Sequence, residues 1–109
     1  MSKIMLPEIA EIYEVICVLG KKIRTTKNYW RYISETKHAD LAGKLDLVLL
    51  CLTKANEVWK KKDVHIYYHK INKHWVCVVT RHLNNDGFIV TVYLTSKSKR
   101  KGKKIWPKK

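Results

Sequence analysis

Apolar and polar positions recur with two different periods along this chain. From Ile12 to Leu19 the residues are largely β-branched and apolar, Gly20 and Lys21 supply a turn, and Lys22 to Thr25 lead back. The segment EIYEVICVLGKKIRTT therefore predicts a β-hairpin. Ile9, Ile12, Tyr13 and Ile16 also fit a 3.6-residue period, so a helix from Glu8 is the rival reading. Val15, Ile16, Val18 and Gly20 favour the hairpin. Thr26 stands where it can cap a helix over residues 27–36 that carries Trp30, Tyr32 and Ile33. Asp40 can cap a second helix, with Leu41, Leu45, Val48, Leu49 and Leu52 along one face and an end near Thr53.

Beyond KANEVWKKKD the period drops to two. Val64 to Lys70 alternates, Asn72-Lys73 turns into a strand from Trp75 to Arg81, and Asn84-Asn85-Asp86-Gly87 is the strongest turn signal, leading into the strand FIVTVYLT. Alternation turns Val76, Val78, Phe88, Val90 and Val92 toward the helices. It leaves Tyr68, Lys70, Arg81, Thr91 and Tyr93 on the open face. The expected fold is α+β: an antiparallel curved sheet with two helices packed on one face, in the order β-β-α-α-β-β-β. Residues 1–96 would form the single domain, and 97–109 a basic C-terminal tail.

Charge changes the picture from fold to partner. Lysine and arginine number 23 against nine acids, a net charge of +14, and residues 97–109 hold eight of the cations and no acid. Such a field concentrates phosphate polyanions, RNA first and DNA as the alternative, although an acidic protein would feel it too. Lys70 and Arg81 on the open face, with Lys97, Lys99, Arg100 and Lys101 in the tail, are the candidate nucleic-acid contacts. Cys17, Cys51 and Cys77 lie far apart in apolar runs with no CxxC pair, which reads as buried reduced thiols and implies a reducing, cytoplasmic setting. His65, His69, His74 and His82 form no tidy ligand set, so no metal site is expected, and no cofactor. The start MSKIMLPEIAEIYE has acids where a signal peptide needs an apolar stretch, and the longest apolar run, LVLLCL, is too short to span a bilayer, so no membrane partner is expected. With no P-loop, GxGxxG or GxSxG, triphosphate and serine-hydrolase chemistry are disfavoured.

Two stretches, IRTTKNYWRYISETKHADLAGKLDLVLLCLTKANEVW and IYYHKINKHWVCVVTRHLNNDGFIVTVYLTSKSKRKG, carry an ordered set of short motifs. They are Arg-x-Thr, a Trp-centred helix, a His-Pro-Glu-Leu-like step, a leucine-rich helix, a tyrosine strand, a Val-Val strand and a closing Thr-x-Tyr strand with a basic end. The set resembles the phage-type branch of the barnase, EndoU, colicin and RelE-like (BECR) nuclease superfamily over about residues 12–106. Here His38-Ala39-Asp40-Leu41 stands for His-Pro-Glu-Leu, Tyr32 sits where the pattern often has His, and Val92 replaces an alanine.

The resemblance implies a metal-independent ribonuclease, toxin-like or phage-type, with an acidic antitoxin protein as a further partner. His38, Arg24, Thr91 and Tyr93 would be its catalytic residues. His38, with an imidazole that ordinarily titrates near neutrality, would move the proton in 2′-OH attack. Arg24 would clamp the phosphate bidentately. Thr91 and Tyr93, two apart on one strand face, would hydrogen-bond the scissile group or orient His38. Each has a plainer reading: packing or capping for His38, a surface ion pair for Arg24, ordinary strand composition for Thr91 and Tyr93. A catalytically inert RNA- or DNA-binding module on the same scaffold is the alternative, and an interaction protein for an acidic partner is a third reading.

Overall fold

Local signals at the start of the chain are met closely by the fold. The computed structural model describes residues 12–37, 43–82, 86–96, 100 and 102–107. β1 (Ile12–Ile16) and β2 (Lys22–Thr26) form the hairpin with Val15 opposite Ile23. Its turn closes through Gly20 N–H donating to the Cys17 carbonyl at 2.8 Å. Thr26 Oγ1 accepts from the Tyr29 N–H at 3.1 Å and caps α1 (Lys27–Tyr32). The helical path continues through a π-helical segment, Ile33–Lys37, and Trp30 and Ile33 are buried.

α2 (Leu45–Lys54) packs on β4, β5 and β1. Its buried stripe is Val48, Cys51 and Leu52, and Leu45 and Leu49 are half-buried; the helix starts later than expected, after Lys44, whose side chain makes no capping hydrogen bond, so the expected cap Asp40 does not stand at its N-terminus, and Asp40 and Leu41 themselves lie outside the described residues. Val18 N–H donates to the Leu52 carbonyl at 3.0 Å, which satisfies a carbonyl that a helix end leaves open and ties the hairpin to α2.

The rest is sheet: β3 (Glu57–Lys61), β4 (Val64–Ile71), β5 (His74–His82), β6 (Asp86–Thr95) and β7 (Lys103–Trp106). The seven strands lie in the order β1-β2-β6-β5-β4-β3-β7. The class is α+β, with a mostly antiparallel sheet and two α-helices among the described residues, but the element order differs from β-β-α-α-β-β-β in two ways. Glu57–Lys61 is a strand, although only Val58 points into the core and the remaining side chains are polar or aromatic, a pattern that reads as loop. Part of the expected tail is also structured. β7 pairs antiparallel with β3, Ile105 and Trp106 pack against the core, and the lysines Lys103 and Lys104 stay exposed. Gly102 makes this docking possible: at φ +96 it passes so near β3 that a Cβ would stand 2.2 Å from the Lys60 carbonyl oxygen.

Two further features place the site. β2 and β6 are parallel and pair only over Lys22–Arg24 with Asp86–Phe88. In β6 the register slips opposite Val79/Thr80, so Val90 and Thr91 together span one step of β5. This bulge reverses the alternation. Ile89 and Val92 are both buried, while Phe88, expected on the core side, points to the open face and Val90 sits at the irregularity. Among the described residues no helix is long and apolar enough to cross a membrane.

Candidate nucleic-acid interface

Cross-strand register builds a row on the face turned away from the helices. Glu14, Arg24, Phe88 and Arg81 stand opposite one another on β1, β2, β6 and β5. Phe88 is 37% exposed, a high value for a large apolar side chain, and a guanidinium flanks it on either side. Arg24 is paired with Asp86, and Arg81 with Asp63 at 3.1 Å. The two arginine side chains keep 39% and 48% of their surface in solvent. Ion pairs this exposed contribute little, about 0–1 kcal/mol, so a phosphate can replace the carboxylate at small cost.

A cleft of about 420 Å³ opens beside this row, where the parallel pairing of β2 and β6 ends; Arg24, Thr25, Thr26, Tyr29, Phe88 and Ile89 line it. Tyr29 bridges its far side, donating its hydroxyl to the carbonyl of the bulged Val90 at 2.6 Å. Thr25 is buried, yet its Oγ1 has no hydrogen-bond partner. A buried hydroxyl left so costs about 1–3 kcal/mol unless a ligand or water meets it.

Compared with known proteins, the chain matches no family model, no curated protein and no solved structure.

Further along the open face, Thr91 lies opposite Val79 and Tyr93 opposite Cys77. Arg24, Thr91 and Tyr93 thus share one face of two adjacent strands. The Thr91 hydroxyl is buried without a partner. Tyr93 is hydrogen-bonded with Cys77 and Tyr68, and burial, with Cys77 and Tyr68 beside it, pushes its phenol well above the usual range. His38 lies outside the described residues, as do Lys97, Lys99 and Lys101.

Lys70 and Arg100 belong to an aromatic cluster at the other end of this face. Lys70 Nζ sits 5.7 Å from the Trp75 ring. The Arg100 guanidinium stacks 4.2 Å from the Tyr68 ring and 4.5 Å from that of Trp75, while its Nε donates to Glu57 Oε1 at 2.6 Å. Trp59 Nε1 donates to the same oxygen at 2.9 Å. Burial pushes the Glu57 carboxyl up, but the hydrogen bonds from Arg100 and Trp59 outweigh it and hold the carboxyl below its ordinary value. Arg100 is thereby committed to the fold, whereas Arg81 remains open to a ligand.

A polar cluster that sequence reading missed lies on the helix side of the sheet. His65 and His82 stack with ring centroids 3.7 Å apart and planes within 5°. His82 Nε2 is 2.9 Å from the Tyr67 hydroxyl, which is itself 2.9 Å from Cys17 Sγ. Burial pushes His82 down to about 4, helped by His65, Lys21 and Lys60; burial, then Lys60 and Lys21, lowers His65. A Cβ at Gly87, opposite His82, would come within 2.8 Å of the Arg81 carbonyl oxygen, so glycine lets β5 and β6 close here. The signal in the sequence was two short phases, His65-x-Tyr67 and Thr80-x-His82, each putting polar groups on the core side. Only the β4–β5 register joins them. Cys17, Cys51 and Cys77 are free and buried, and among the described residues no three His, Cys, Asp or Glu side chains are grouped to hold one metal ion.

Proposed function

We propose that this protein is an RNA-acting domain that binds single-stranded RNA across the open sheet face and cleaves it without metal, as the resemblance to BECR ribonucleases implies. The observation that carries the reading is the Arg24 cleft. It combines an exposed guanidinium on a weak ion pair, an exposed aromatic ring and an unsatisfied buried hydroxyl. One nucleotide base enters the cleft or stacks on Phe88, and its phosphates meet Arg24 and Arg81. Base–aromatic stacking contributes about 1–3 kcal/mol per base whatever the sequence, and Arg recognises phosphate in bidentate fashion.

In the cleavage step, His38 takes the 2′-OH proton or protonates the leaving 5′-oxygen, and Arg24 holds the charge gathering on the phosphorane oxygens. Thr91 and Tyr93 lie along the path of the strand. With its phenol held neutral, Tyr93 acts as a hydrogen-bond donor. The inert binding module is the second reading, favoured by one observation: Tyr32 stands where the motif has histidine.

Cleavage of an end-labelled RNA by wild type and His38→Ala in EDTA tests the proposal. Loss of about 10²–10⁴-fold in rate with unchanged RNA affinity is expected for the variant, and a 2′-deoxy substitution at the cut site should abolish the reaction. Equal rates would remove His38 from the mechanism. Tight, salt-sensitive binding with no cleavage by either protein would establish the inert module.

A further inference from the structure

Successive residues of two strands line the Arg24 cleft: Arg24 and Thr25 on β2, Phe88 and Ile89 on β6. Neighbours along a strand point to opposite faces. Arg24 and Phe88 belong to the open face, whereas Thr25 and Ile89 turn with Ile23 toward the core. The cleft therefore runs between the strands, from the open face into the helix layer, rather than lying along one face. The cause is local. α1 begins directly after Thr26, so β2 stops there while β6 continues to Thr95. Paired strands stand about 4.8 Å apart and leave no gap, but past Arg24 and Phe88 the pairing of β2 with β6 has ended.

Most polar side chains on the walls are already engaged. Thr26 Oγ1 accepts from the Tyr29 N–H, the Tyr29 hydroxyl donates to the Val90 carbonyl, and Arg24 is paired with Asp86 at the mouth. Thr25 is the exception: it is only 5% exposed, and its Oγ1 has no hydrogen-bond partner among the described residues. A mostly apolar slot of about 420 Å³, with one unmet hydroxyl in its wall and a solvated guanidinium at its mouth, sets three conditions on a ligand. It must be flat enough to pass between two backbones, carry a hydrogen-bonding group on its far edge and bear an anion at its near end. We propose that the cleft is a single-nucleotide subsite in which one base is inserted edge-on between β2 and β6, its far edge bonded to Thr25 and its phosphate on Arg24. The inference rests on the open-face RNA reading, decides for insertion over stacking on Phe88, and needs no cleavage.

The chemistry of the walls sets what the subsite selects. A threonine hydroxyl donates or accepts as its proton rotates, so Thr25 meets a carbonyl, a ring nitrogen or an amino group equally well. Every nucleobase offers one of these on its edge. The subsite thus requires a base without reading which base it is. Arg24 carries five N–H donors, more than one carboxylate can occupy, so a phosphate at the mouth takes those that Asp86 leaves. A base held between two strands is neither paired nor stacked on its own neighbours. The ligand is therefore an unstacked nucleotide, free or within a single strand, and a duplex is excluded. No bond is made or broken.

The test is an NMR titration of the intact protein with adenosine 5′-monophosphate, uridine 5′-monophosphate and ribose 5-phosphate, beside anisotropy titration of a single-stranded RNA oligonucleotide. Both nucleotides should bind about equally, and about tenfold or more tightly than ribose 5-phosphate, which lacks the base. In wild type, nuclear Overhauser contacts should join the base protons to the methyl groups of Thr25 and Ile89, which a base stacked on the open face does not reach. Thr25→Val keeps the shape of the side chain and removes the hydroxyl. It should weaken both nucleotides about three- to tenfold and leave ribose 5-phosphate unchanged, with a thermal unfolding midpoint equal to wild type or higher. Base contacts to Phe88 alone, or equal affinity for nucleotides and ribose 5-phosphate, would overturn the proposal. Nucleotides and oligonucleotide bound as tightly by Thr25→Val as by wild type would remove the insertion and leave open-face RNA binding standing. Nucleotide contacts to Thr25 with no affinity for the oligonucleotide would uphold the subsite and remove the RNA reading instead.

Discussion

The two ends of the open sheet face use the same ingredients to opposite effect. At one, Arg100 stacks on Tyr68 and Trp75 and bonds Glu57, and only 20% of its side chain remains in solvent. At the other, Arg24 and Arg81 flank Phe88 and pair with Asp86 and Asp63, but every one of these groups keeps a third or more of its surface exposed. A guanidinium covered by two rings with a carboxylate held in its ionised form is already saturated, and it clips the segment before β7 onto the sheet. The same guanidinium beside one exposed ring and a solvated carboxylate is available. Burial, more than residue type, separates a cation that holds the fold from one left accessible to a ligand.

The largest expected effect breaks the saturated end. Tyr68 is buried under Arg100, so Tyr68→Ala should lose about 3–5 kcal/mol in urea unfolding, while the folded fraction binds RNA as before. A parallel collapse of RNA affinity in folded protein would show that both ends bind, and the contrast would fail.

Next is the open end. Truncating Arg24 and Arg81 together should weaken RNA binding by about 10–100-fold, taking about 1.5 kcal/mol or more for each charge-assisted hydrogen bond before solvent screening. It should change stability by no more than about 0.5 kcal/mol. The slope of log affinity against log salt should drop by about 0.7 for each phosphate that is no longer neutralised. Anisotropy titrations at three salt concentrations measure all of this, and an unchanged slope would take the arginines out of the interface.

A smaller effect compares this face with the one behind it. His82 is held near 4 in the folded protein against an ordinary 6.5. Between those values the unfolded chain binds more protons than the folded one, so stability is complete above pH 6.5 and falls as pH drops toward 4. With allowance for solvent screening in a half-open recess, the loss is about 1–3 kcal/mol. His82→Gln should flatten that segment of the stability–pH curve. The smallest expected effect is that of Arg100→Lys. It keeps the charge but loses the planar fork and its stacking, so stability should fall by about 1 kcal/mol with no change in salt slope.

Much of the local architecture was legible in the residues. Thr26 caps α1 because its hydroxyl needs only a donor three residues on. Asn72 turns β4 into β5 at φ 55, a conformation that asparagine tolerates. Val76, Val78 and Val92 are buried as their alternation requires. The candidate site was legible in its parts: Arg24, Arg81, Thr91 and Tyr93 all lie on the open face. Phe88 was turned the wrong way, because one extra residue at the bulge reverses every position on one side of it, and nothing in FIVTVYLT marks where the slip falls.

By itself the sequence determined what depends on neighbours along the chain: the two periods, the Thr26 cap, the turns at Gly20 and Asn72, and the large positive charge. Which strands meet depends on residues tens of positions apart, and that was left to the tertiary structure. It set β2 parallel to β6 for three pairs and so opened the cleft at Arg24. It brought Arg100 over Tyr68 from a stretch that reads as a solvated tail. It stacked His65 on His82 across two strands. A cation's role is set by how much water its neighbours remove, and those neighbours come from distant parts of the chain.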